Sequence, residues 1–342
     1  MRTFIFLPPV HKPVGGVAVL FQIAAHLRQA GQAAFLVPRE KGGWAPQAYA
    51  GMIPEIPWAE LNLTPEDIWL VPEGWVNALA PGLAAKSRCL LYCQNWAYLF
   101  SSLPPDLNLA SLPLRFLAVS QPVAWFIEQT VPGMQGQTPD IPRPDILRPG
   151  IDLATFCAPA EKPSDRLRVA YMPRKNKALV QQVRAIFQSR NRTLTREVEF
   201  AEISGLDAPG VARVLQDSHV FLASGFPEGC PLPPLEALAC GCLPVGFSGF
   251  GGWDYMRQAR EHEARFRPWW PLRPVHWAGN GLWSADADVL DAALNLETAL
   301  EWWKTRPEEL ARTLAAGQQT AAAYGLDQQR AQILALWKRL TP

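Results

Sequence analysis

Short apolar runs recur along the chain at residues 3–7, 33–37, 68–71, 88–93 and 115–120, and again at 167–171, 197–201, 219–223 and 243–247. Runs this short, apolar on consecutive positions, read as strands covered on both faces, as in a parallel sheet. Between them, 3–4 spacing of apolar residues predicts helices over 17–28, 122–130, 178–189 and 211–217, and three more follow at 285–304, 307–324 and 327–340. Ser120 stands where the second of these would take its N-cap. Strand alternating with helix is the pattern of an α/β protein. No internal repeat stands out. Residues 132–144, rich in Pro, Gly, Gln and Asp, read as an irregular loop, and the proline- and charge-rich stretch 158–165 as a linker. At 342 residues the chain accommodates two domains. They are expected at 1–152 and 153–325.

The most informative stretch is the strand–loop–helix–strand unit from His219 to Phe247. Its loop carries Glu228, and Pro233 and Pro234 stand where a helix starts, since a proline in the first turn gives up a donor that has no partner there. Glu236 is placed by this pattern in the first helical turn, and Gly241 ends the helix. In open parallel sheets ligands sit at the carboxyl ends of the strands. Two carboxylates there are poor phosphate binders but suit hydroxyls, because an ionised carboxylate accepts several hydrogen bonds from a diol. The competing reading of Glu236 is a charge that simply favours the helix N-terminus.

Three other places carry candidate chemistry. After the first strand, Gly15 and Gly16 open a helix, and a loop without side chains lets the backbone approach an anion. This is not the Gly-x-Gly-x-x-Gly fingerprint of dinucleotide enzymes. His11 and Lys12 precede the pair, and a plain turn is the alternative. After the strand at 88–93 come Gln94 and Asn95, polar amides at a strand's carboxyl end. After the strand at 167–171, Arg174, Lys175 and Lys177 cluster at a helix start, where cations oppose the dipole and so want another reason to be there. Guanidinium and ammonium groups can neutralise a departing phosphate.

Glu228 and Glu236, with seven residues between them inside Pro-Glu-Gly-x-x-Leu-Pro-Pro-Leu-Glu-Ala-Leu-Ala-Cys-Gly, closely resemble the donor-site signature of the retaining glycosyltransferases of family 4. That resemblance implies the GT-B fold, two Rossmann-like domains facing a cleft, with the last helix (326–342) packing back on the first, acceptor-side domain and the second domain holding the donor. It implies that Arg174 and Lys175 hold a diphosphate, with Lys177 in reserve. Glu228 would hold hydroxyls of the transferred sugar, Glu236 those of the ribose, and the backbone at Cys230, Leu232, Pro233, Gly15 and Gly16 would surround the donor. His11, Gln94 and Asn95 would line the sugar and acceptor side. Segment 145–156 resembles the family's interdomain stretch. Two departures are visible: Arg148 precedes Pro149 and the asparagine of the family's Pro-Asn-Gly-(Val or Ile)-Asp is missing, and Gln94-Asn95 stand near where many members carry a histidine. Pro231 also removes one amide from the run after Glu228.

Composition narrows the partners. A formal charge of +1 argues against nucleic acid. With 49% hydrophobic and 18% charged residues the chain is globular, and its start has too short an apolar run for a secretory signal. The six cysteines read as reduced core residues and the five histidines have no metal-ligand spacing, so neither metal nor cofactor is expected. The family resemblance implies as partners a nucleotide-diphosphate sugar (UDP, GDP or dTDP) and a glycan or lipid-linked saccharide acceptor, in the cytoplasm or at the inner membrane face. Trp269, Trp270 and Trp277, among prolines and arginines, can stack sugars, meet a membrane, or fill a gap between domains. Alternatives to a transferase are a catalytically silent nucleotide-sugar-binding subunit, and an epimerase or phosphorylase of the same fold, although no lysine stands in a compelling setting for pyridoxal phosphate.

Overall fold

The computed structural model describes residues 1–12, 14–134 and 142–340. Most of the irregular loop expected at 132–144, and the last two residues of the C-terminal helix, lie outside them. The chain forms two compact units, residues 1–150 with 327–342, and residues 151–326.

The first unit is built on β1 (Arg2–Leu7), α1 (Gly15–Gln29), β2 (Ala33–Pro38), β3 (Ile68–Pro72), the short α2 (Ala80–Ala84), β4 (Arg88–Cys93), β5 (Leu114–Ala118), α3 (Gln121–Thr130) and β6 (Asp145–Ile146). The strands form one parallel sheet in the order β2-β1-β3-β4-β5-β6. Ile5, Phe6, Leu70, Val71, Leu91 and Leu117 are fully buried, as strands covered on both faces require. Ser120 caps α3 through the Val123 N–H at 3.4 Å. The closing helix of the chain, Leu326–Leu340, places Trp337 Nε1 on Thr3 Oγ1 at 2.9 Å and Gln329 on His26 at 3.2 Å.

The second unit runs β7 (Leu167–Tyr171), α4 (Lys177–Arg190), β8 (Val198–Glu202), α5 (Ala208–Gln216), β9 (Val220–Ala223), α6 (Leu232–Ala239), β10 (Leu243–Phe247), β11 (Leu282–Ser284), α7 (Val289–Thr305) and α8 (Pro307–Ala322); the closing helix is α9. Its parallel sheet has the order β11-β10-β9-β7-β8. Val169, Val220, Leu222, Leu243, Val245, Leu296 and Leu300 make its core. The expected linker is pinned here: Lys162 Nζ donates to the carbonyls of Leu215, Gln216 and Cys240 at 2.7–2.9 Å, satisfying the open ends of α5 and α6. The helix expected from residue 285 begins at Val289, because Ala287 sits at φ 69 and Asp288 caps the helix through the Asp291 N–H. The strand β11 before it carries no run long enough to read from sequence.

Candidate active site

Three loops leave the carboxyl ends of neighbouring strands in the second unit: 172–176 after β7, 224–231 after β9 and 248–254 after β10. Lys175 Nζ donates to the Glu228 carboxylate at 2.8 Å and to the Pro227 carbonyl at 3.1 Å. Arg174 is exposed beside them and has no ion-pair partner among the described residues. Arg174, Lys175 and Glu228 line one small cavity of about 50 Å³, with Ser224, Pro231 and Pro233 on its wall and Phe221 and Phe247 among its apolar lining. Lys177 faces elsewhere, 4.0 Å from Glu202.

Asn176, which carries no signature of its own in the sequence, ties two of these loops together. It adopts the left-handed conformation at φ 58, which asparagine tolerates better than most residues. Its Nδ2 donates to the carbonyls of Ser224 at 2.9 Å and Phe226 at 3.0 Å. The signal available was an asparagine immediately before a helix.

The glycine-rich turn after β10 clamps Glu228 from the other side. The Glu228 N–H donates to the Gly249 carbonyl at 2.9 Å and its carbonyl accepts the Gly251 N–H at 3.0 Å. Gly249 sits at φ +67, and a Cβ there would stand 2.6 Å from that of Glu228. Asp286, just past β11, holds this turn by accepting the Gly249 N–H at 2.8 Å. Gly249→Ala is therefore expected to cost about 1–3 kcal/mol of stability, from backbone strain and the clash together; an unchanged melting temperature would contradict the clamp.

Glu236 departs from its expected place. Helix α6 begins at Leu232, so Glu236 is its fifth residue and no acidic side chain lies in the first turn. The helix field falls off within that turn, so a plain helix charge does not account for Glu236. It does not line the cavity around Glu228. Burial pushes its carboxyl up to about 7. The helix start also offers fewer amides than one missing donor would leave. Pro231 is the N-cap and Pro233 and Pro234 stand in the first turn, so Leu232 supplies the amide there. Cys230 is buried just ahead, and the Pro231 carbonyl is fixed by the Tyr255 hydroxyl at 2.7 Å.

In the first unit, Gly15 and Gly16 open α1, with Val14 as N-cap and no side-chain cap. A Cβ on Gly16 would stand 3.2 Å from Gln94 Oε1, so the Gln94 side-chain amide lies against Gly16. Asn95 is buried and spends its Oδ1 on the Ala97 N–H at 3.1 Å, a local cap. His11 is exposed, its Nδ1 3.3 Å from the Gly42 carbonyl oxygen. The carboxylate of Glu73, unmarked in the sequence, accepts the N–H groups of both Gln94 and Asn95.

The tryptophan segment divides. Trp270 and Trp277 are buried within the second unit, Trp277 donating to the Tyr255 carbonyl at 2.9 Å and Trp270 packing on Phe250 with ring centroids 4.7 Å apart. They fill that unit's own core and need no gap between domains. Trp269 is 79% exposed. Among the described residues no helix is long and apolar enough to cross a membrane, and no group of His, Cys, Asp and Glu is arranged to hold a metal.

No family model matches the chain. Solved structures align along almost all of it. A glycosyltransferase from Rickettsia africae ESF-5 superposes with a TM-score of 0.68 at 13% identity, covering 99% of this chain and 98% of that one. Anabaena HepE in complex with UDP gives 0.67 at 14% identity, covering 99% and 100%. The fold is that of the GT-B glycosyltransferases. In sequence, the chain is 28% identical over 193 residues to an alpha-1,6-glucosyltransferase of Actinobacillus pleuropneumoniae serotype 7 (strain AP76), a match that spans 56% of each. The aligned region is thus little more than half the length of that curated relative.

Proposed function

We propose that this protein is a retaining, metal-independent glycosyltransferase that moves a sugar from a nucleotide-diphosphate donor to an acceptor hydroxyl in polysaccharide or glycoconjugate assembly. The observation that carries the reading is the Lys175–Glu228 pair with Arg174 beside it, around a cavity at the ends of β7 and β9. Without ligand, Glu228 neutralises Lys175. A diphosphate offers that ammonium a stronger partner, and the exchange frees the Glu228 carboxylate for hydroxyls of the sugar. Arg174 adds a second cation to charge that builds as the leaving group departs. Glu236, reluctant to ionise in its buried setting, gains hydrogen bonds from a vicinal diol such as ribose.

Retention follows most simply from front-face substitution. The bond between the anomeric carbon and the diphosphate oxygen breaks, its electron pair leaving with the phosphate. The acceptor oxygen bonds to the same face of that carbon, and its proton passes to the departing phosphate oxygen. The names of the relatives make glucose the first sugar to test and UDP the first nucleotide. Thermal shift against UDP-, GDP- and dTDP-sugars is expected to single out one donor, because a ligand bound only to the folded state stabilises it by about 2.7 kcal/mol at 100 times its Kd. No shift with any of them would sink the reading.

A second reading, a catalytically silent nucleotide-sugar binder, is favoured by the amides at Gln94–Asn95 and by the three prolines around the start of α6. It expects a thermal shift without release of nucleoside diphosphate, and the same basal rate in wild type, Glu228→Ala and Arg174→Ala.

A further inference from the structure

Glu73 follows β3 directly, and the proposed reaction does not use it. Its Oε2 accepts the Gln94 N–H at 2.8 Å and its Oε1 the Asn95 N–H at 2.8 Å. Its own N–H donates to the Tyr92 carbonyl at 3.0 Å, so Glu73 is itself anchored on β4. A carboxylate that grips two consecutive amides fixes both the position and the tilt of the peptide between them. That peptide begins the turn that lays the Gln94 amide against Gly16 at the start of α1.

We propose that Glu73 is a positioning residue: its ionised carboxylate sets the Gln94–Asn95 turn, and through it the Gln94 side-chain amide against Gly16. The assignment rests on reading that turn as the sugar and acceptor side of a transferase. A tie made only for packing would be cheaper with a neutral group, since an ionised carboxylate resists burial. Burial raises the Glu73 carboxyl to about 7 even with both amides bound. Among the described residues Cys93 on β4 faces it, and its thiol is itself held neutral by burial and by Glu73. Protonation replaces one acceptor with an O–H that faces an N–H, so the grip weakens as pH falls through about 7.

The test is hydrogen exchange at the Gln94 and Asn95 amides of the full chain, wild type against Glu73→Gln, at pH 8 and pH 6. Glutamine has the same shape but turns an NH₂ toward one of the amides, and circular dichroism checks that it folds. In wild type, protection corrected for intrinsic rates should be about tenfold weaker at pH 6 than at pH 8. In the variant it should be low and equal at both. Equal protection of the two proteins at pH 8 overturns the proposal. Release of UDP from UDP-glucose supplies the functional arm: Glu73→Gln should lower kcat about 10- to 100-fold, leave KM for UDP-glucose within about twofold, and lose the acid limb near neutrality. An altered KM with unchanged kcat would overturn the positioning role. Should wild type release no UDP at all, the transferase reading fails, and amide exchange still decides whether Glu73 sets the turn.

Discussion

Glu228→Gln lowers release of nucleoside diphosphate from the donor by at least about 100-fold, and at the same time binds free UDP about 3- to 10-fold more tightly than wild type. The two effects have opposite signs because Glu228 has two partners in turn. It holds Lys175 at 2.8 Å, with both side chains mostly shielded at 21% and 28% exposure. Any diphosphate must take Lys175 from it. Neutralising the carboxylate removes that competitor, so the product binds better, while the sugar hydroxyls lose their acceptor and the transition state loses a compensating charge. Lys175→Ala is expected to weaken UDP and catalysis together. Titration calorimetry with UDP and a coupled assay of diphosphate release check both limbs. Weaker or unchanged UDP binding in Glu228→Gln would mean that the observed ion pair does not share its lysine with the ligand.

UDP-glucose binds about tenfold more tightly at pH 8 than at pH 6, and Glu236→Gln flattens that profile at the weaker level. The carboxyl is raised to about 7 by burial, so it is mainly neutral at pH 6 and mainly ionised at pH 8. Ribose hydroxyls donate to the ionised form, hence binding favours it and tightens as pH rises. The ligand-free protein shows the reverse sign. A carboxyl whose folded value lies above its unfolded one contributes stability below about 4.5 and loses it as pH rises to about 7, here about 1–3 kcal/mol allowing for partial exposure. A sugar nucleotide is the better probe than UDP, since its diphosphate ester has no proton to lose in this range. A pH-independent Kd in wild type would remove Glu236 from the ribose.

The parallel α/β architecture was legible because it is written in local pattern. Apolar runs at 3–7, 68–71, 88–93 and 243–247 have no option but to be covered on both faces, and β1, β3, β4 and β10 lie where those runs lie. Arg174, Lys175 and Glu228 could be named from the sequence because charged residues past strand ends are conspicuous, and the structure gathers them round one cavity. Glu236 was named for the right helix but given the wrong turn. Two prolines can begin a helix at either end of their allowed window, and only the observed start at Leu232 places Glu236 beyond the helix field.

Other features have no local signature at all. Glu73 and Asp286 are ordinary acidic residues in sequence, and each matters because folding sets it against backbone amides: Gln94 and Asn95 for one, Gly249 for the other. Asn176 is the same case with donor and acceptor reversed. The tryptophans repeat the lesson, since adjacent Trp269 and Trp270 are alike in sequence yet one is exposed and the other packs on Phe250. Hydrophobic period and side-chain type are properties of neighbouring residues, so the sequence alone determined most strands, most helices and the charged groups at their ends. Which carboxylate meets which amide or cation depends on residues far apart in sequence reaching one place, 21 positions for Glu73 and Gln94 and 53 for Lys175 and Glu228, and only the tertiary structure decides that.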